Sequence, residues 1–131
     1  MILNKEQFIL KDYYDMLNLH KALLEAKFHE NPDNLYVAGS PIIANIYNRL
    51  LDTIQEYEIE KKGKENWSEW RRIQNQKFYK DRAIRNIIEC EKWRTFDNKK
   101  KMEIIYNYLS PFTFTEDELQ EIMNEIDDFA S

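Results

Sequence analysis

The stretch Asn66–Arg94, NWSEWRRIQNQKFYKDRAIRNIIECEKWR, decides how the rest of the chain is read. It contains no glycine and no proline, so no residue in it removes a backbone donor or favours a left-handed stop. Asn66 followed by Glu69 has the spacing of a capping box, which predicts a helix beginning at Trp67. Carried through to Arg94, that helix is about 28 residues and about 42 Å long, with the polar patch Gln74-Asn75-Gln76 as the place where it can bend.

At about 100° per residue, Trp70, Ile73, Ile84, Ile87 and Ile88 share one side, the spacing of a stripe that faces a core. Roughly opposite lie Trp67, Arg71, Phe78, Arg82, Arg85 and Trp93. Guanidinium groups mixed with rings read as a partner-binding face, because arginine and aromatic side chains anchor protein interfaces and also stack on bases. The plainer alternative is a central helix covered on both sides, with arginine stems lying along apolar surface.

Outward from this segment, 131 residues with two glycines and three prolines predict an all-α chain: one helical bundle spanning residues 1–131, with about five helices. Asn4 and Gln7 read as a cap opening a first helix that runs to about Phe28, and Asn31-Pro32-Asp33-Asn34 as its end. Ser40-Pro41 starts the next helix, whose stripe is Ile43, Ile46, Tyr47, Leu50, Ile54 and Tyr57, and Lys61, Lys62 and Gly63 supply its stop. Beyond Thr95-Phe96-Asp97-Asn98, a short helix carries Met102, Ile105, Tyr106 and Leu109 and ends at Ser110-Pro111. Thr115 and Glu118 form a second capping box, with Phe114 placed to staple onto Leu119, and the helix they open buries Leu119, Ile122, Met123, Ile126 and Phe129.

Charge is segregated along the chain. Residues 1–60 hold 5 Lys/Arg against 10 Asp/Glu, residues 61–101 hold 14 against 6, and residues 102–131 hold none against 8. Such a layout bears on association rather than on fold. A single cysteine, Cys90, has no intramolecular partner, and the start of the chain lacks the basic-then-apolar pattern of a signal peptide, so the expected compartment is the cytoplasm. No apolar run is long enough to predict a membrane span.

Motifs for chemistry are sparse. His20, His29 and Cys90 lack zinc spacing, two glycines do not build a phosphate cradle, and Glu89 and Glu91 oppose a thiolate at Cys90, which reads as a small core residue. No cofactor and no metal are expected. The acidic set Glu118, Glu121, Glu125 and Asp128 falls on one side of the last helix. It resembles the Glu-x-x-Glu and Glu-x-x-Asp pairs with which all-α nucleotide pyrophosphatases hold Mg²⁺, although those enzymes spread the ligands over two facing helices. Its other readings are a solvated face or an acidic docking face.

The sequence therefore predicts a non-enzymatic protein that docks a protein partner, of the immunity, antitoxin or phage-inhibitor kind, and that can also pair as a homodimer. The runner-up is a helical RNA- or DNA-binding protein that uses Arg71, Arg82, Arg85 and Lys99–Lys101, with Trp67 or Trp93 as stacking platforms. A magnesium-dependent enzyme ranks third.

Overall fold

The computed structural model describes residues 8–29 and 35–130. Within them run α1 (Tyr13–Lys27), α2 (Leu35–Ala38), α3 (Pro41–Lys62), α4 (Trp67–Arg71), α5 (Lys77–Ile88), α6 (Asn98–Leu109) and α7 (Glu116–Ala130), with 3-10 turns at Ile73–Asn75 and Trp93–Thr95. The fold is an all-α bundle, and none of these helices is long and apolar enough to cross a membrane.

Helix α3 follows its local signals. The Ser40 hydroxyl accepts the Ile43 N–H at 3.1 Å, Pro41 occupies the first turn, and Gly63 closes the helix at φ 73° with its N–H on the Ile59 carbonyl. Helix α7 opens on the predicted reciprocal box: the Glu118 carboxylate accepts from the Thr115 N–H at 2.8 Å, and the Thr115 hydroxyl from the Glu118 N–H at 3.1 Å. Helix α1 begins later than its sequence implies. Asp12 caps it by accepting the Tyr14 N–H at 2.7 Å, and Phe8–Lys11 are not helical. The expected start at Asn4 and stop at Asn31–Asn34 lie outside the described residues.

The uninterrupted helix over 66–94 is corrected. It is two helices and two 3-10 turns, because non-local partners take the backbone groups that would have continued it. Arg72 is extended (φ −68°, ψ 125°), the Arg71 carbonyl accepts the Thr113 N–H at 2.7 Å, and the Ile73 N–H donates to the Thr113 carbonyl at 2.9 Å. The bending patch supplies the caps: the Asn75 amide donates to the Glu69 carbonyl at 2.8 Å and the Gln76 amide to that of Trp70 at 2.7 Å. The capping box at Asn66 does not form; Glu65 accepts the Ser68 N–H instead, at 2.8 Å.

Two clusters make the core. Helices α1 and α3 bury Met16, Tyr47, Leu50, Leu51 and Ile54 against each other. The second cluster, built on α5, α6 and α7, buries Ile84, Ile87, Trp93, Ile105, Leu109, Ile122, Met123 and Ile126. Leu24 and Trp70 pack against both. At this junction the His20 ring stands edge-on to Trp67 and to Trp70, each at 5.1 Å, and its Nδ1 is hydrogen-bonded to the Tyr47 hydroxyl at 2.6 Å. Burial, helped by Lys21, pushes the imidazole down to about 4, and burial pushes the Tyr47 phenol up.

Lys27 is fully buried and donates to the Ala38 carbonyl at 3.0 Å and the Asn107 carbonyl at 2.8 Å, tying α1 to α2 and α6. Desolvation holds its ammonium down to about 7. Four apolar positions depart from the expected core: Phe129 is 69% exposed, Tyr106 51%, Ile46 of the α3 stripe 40% and Met102 39%. Cys90 is only half-buried, just past the end of α5.

Candidate functional site

The six residues placed on one face by helical phase do not stay together, because the breaks after Arg71 and Ile88 reset that phase. Arg71 and Trp93 turn inward, and their assignment to a binding face is corrected. The Arg71 guanidinium donates to the Pro111 carbonyl at 2.8 Å, to Asp52 at 2.7 Å, to Asn48 at 3.1 Å and to Gln55, and so pins the Ser110–Phe114 connection to α3. Five donors in a rigid fork suit such a junction. Trp93 is 1% exposed. Its indole N–H donates to Asp127 at 2.8 Å, and the Lys101 ammonium reaches the same carboxylate at 2.8 Å while lying 5.2 Å from the Trp93 ring centroid. The Lys101 hydrogen bond, seconded by the indole, holds the Asp127 carboxyl below the usual range. Trp67 is half-buried among the junction rings.

Phe78, Arg82 and Arg85 remain together on α5. That helix turns Ala83, Ile84, Asn86 and Ile87 inward, and the opposite side carries the three residues. Phe78 is 60% exposed, with the Arg82 guanidinium over its ring at 4.8 Å. Its ring centroid lies 5.2 Å from that of Tyr79 in a T-shaped pair, Tyr79 stacks on Phe112 at 5.6 Å, and Phe112 meets Trp70 at 5.1 Å. The exposed ring is thus the outer end of an aromatic column rooted in the core. Beside it, α1 and α5 enclose a groove of about 280 Å³ with Leu24, Phe28 and Tyr79 apolar and Lys21, Glu25 and His29 polar. No motif in the sequence places Glu25 and His29 beside Phe78.

Three of the acidic set face the chain's own α5. Glu118, Glu121 and Glu125 line a cleft of about 410 Å³ that they share with Lys77, Lys80 and Asp81 of α5. Asp81, 2.8 Å from the Lys77 ammonium, pushes that lysine up, and Glu125 adds to the effect. Asp128 is exposed and does not line the cleft. Part of the basic middle and part of the acidic end of the chain therefore border one cleft, and three of the four carboxylates expected as an acidic face lie along it. Among the described residues, no group of three His, Cys, Asp or Glu side chains is placed to hold a metal ion.

Sequence reasoning missed a longer depression between α3, α6 and α7. One part, about 420 Å³, is lined by Pro41, Met102, Glu103, Tyr106, Asn107, Phe114 and Leu119; the other, about 380 Å³, by Asn48, Asp52, Arg71, Tyr106, Phe112, Thr113 and Phe114. Tyr106 and Phe114 line both. The available signal was Met102 and Tyr106, two more apolar residues than a 12-residue helix needed once Ile105 and Leu109 filled the core.

No known protein family, curated protein or solved structure matches this chain.

Proposed function

We propose that this chain is a non-catalytic binding protein of the inhibitor or regulator type, working in the cytoplasm, that docks a protein partner on the outer side of α5. Phe78 is the apolar anchor, and Arg82 and Arg85 are the cations beside it. The reading is carried by one observation: a ring 60% exposed, topped by a guanidinium, stands at the end of an aromatic column beside a partly apolar groove. Leaving more than half of a phenylalanine in water forgoes about 1–2 kcal/mol that a partner's socket would recover. The matching partner surface is an apolar socket edged with carboxylates. In this reading Trp67, Arg71 and Trp93 support the fold and do not touch the partner.

The test is capture from the native host with wild-type bait, with Phe78→Ala bait and with Arg82→Glu/Arg85→Glu bait. Both variants are expected to keep the wild-type thermal midpoint and to lose the partner at least about tenfold, or about 1.4 kcal/mol. Capture that ignores both variants overturns the reading.

A second reading rests on the exposed cations Arg85, Lys92, Arg94, Lys99 and Lys100. They would favour nucleic acid, against a net charge of −5. Generic oligonucleotide binding that falls steeply with salt would replace the protein-partner proposal with this one.

A further inference from the structure

The depression between α3, α6 and α7 shares no lining residue with the groove beside Phe78, and we infer that it is a second docking site, for an amphipathic cationic segment of a partner protein. Its form is the first argument. Two hollows of about 420 and 380 Å³ have Tyr106 and Phe114 in common in their linings, and taken together they offer one trough to a linear segment.

The chemistry changes along the trough. One end is apolar, lined by Pro41, Met102, Phe114, Leu119 and the half-exposed Tyr106 ring. The other end is polar, and its groups are already oriented. Asn48 donates to the Tyr106 hydroxyl at 3.0 Å and to Ser110 at 3.2 Å, and accepts from Arg71 at 3.1 Å. Such a trough takes apolar side chains at one end and places a polar group at the other without rearranging.

Charge complementarity selects the occupant. The charged residues lining the trough are Glu103, Asp52 and Arg71. Arg71 is spent on its four internal partners, whereas the Asp52 side chain, which bonds Arg71 through one oxygen, is still 60% exposed. Glu103 is 55% exposed, and the Lys100 ammonium comes no nearer than 3.9 Å. Apart from Pro41, the apolar part is built wholly from residues of α6, α7 and the connection between them, and the one charged side chain among them that lines it is Glu103. A segment with apolar residues on one helical side and lysine or arginine flanking them fits this surface; an acidic one is repelled.

The probe is a fluorescein-labelled amphipathic peptide of about 14 residues with leucines on one helical side and lysines elsewhere, alongside its leucine/glutamate counterpart. Fluorescence anisotropy is expected to show binding of the lysine peptide and none of the glutamate peptide. Met102→Lys and Glu103→Lys, both at exposed positions, are expected to weaken binding at least about tenfold while the thermal midpoint holds, and Phe78→Ala to leave it unchanged. That last arm separates this trough from the α5 proposal. Equal binding of the two peptides, no binding of either, or indifference to Met102→Lys and Glu103→Lys overturns the assignment. So does a concentration-dependent mass in sedimentation that Met102→Lys abolishes, which would make the occupant a second copy of this chain.

Discussion

Helix α3 and the segment Asn66–Arg94 look alike on paper: each is long, carries an apolar stripe, and begins at a recognisable cap. One is a single helix of 22 residues; the other is broken three times, at Arg72, at Gln76 and after Ile88. Both ends of α3 are closed by its own neighbours in sequence, Ser40 and Gly63. The later segment is closed by Thr113, some 40 residues on, and by the side chains of its own polar patch. Local chemistry decides a helix only where no distant group competes for its backbone, since propensity is worth only about 0.7 kcal/mol per ordinary residue and each new hydrogen bond about 1 kcal/mol.

The largest way to break this contrast is at Trp93. Removal of a fully buried indole is expected to cost about 4 kcal/mol from lost contacts and the cavity left behind. Trp93→Ala should therefore lower the denaturant midpoint far more than any cap variant of α3, with Lys101 still able to hold Asp127. A loss below about 1 kcal/mol would mean that the turn after α5 does not depend on the core.

His20 comes next, because it touches both regions, Tyr47 on one side and Trp67 and Trp70 on the other. Its folded value of about 4 lies below the usual 6.5, so the unfolded chain binds the proton more readily between those values. Stability is then fully present above pH 6.5 and falls as pH drops through 4, by about 3 kcal/mol. Carboxylates contribute to any acid transition, so the comparison is with His20→Phe. In that variant the Tyr47 hydroxyl keeps the residue-20 carbonyl, 3.2 Å away, as acceptor. Chemical denaturation at pH 7 and pH 4.5 should show a shallower loss for His20→Phe; equal losses would remove His20 as the cause.

What could be read from the residues divides along the same line. The all-α class, α3 and the opening of α7 were legible because their determinants lie within four residues of the ends they specify. Phe78, Arg82 and Arg85 were legible as a set because they fall inside one unbroken helix. Arg71 and Trp93 were not, because helical phase was carried across backbone that is not helical, and an arginine that makes four internal bonds has the same letter as one in water. Lys27 was invisible for a similar reason: its acceptors are main-chain carbonyls, which no side-chain pattern encodes.

The smallest effect gives the sharpest form of the contrast, since the same capping rule applies to Ser40 and to Asn66. Ser40 accepts the Ile43 N–H at 3.1 Å, so Ser40→Ala should cost about 1 kcal/mol, the usual loss when a donor at a helix start is orphaned. Asn66 makes no side-chain cap bond, and Glu65 takes the Ser68 N–H in its place. Asn66→Ala should therefore stay within about 0.3 kcal/mol of wild type, while Glu65→Ala carries the loss at that site. Urea titration of the three variants decides the matter. If Asn66→Ala cost as much as Ser40→Ala, the local rule would hold in both regions, and the breaks in the central segment would need an explanation other than competition for its backbone.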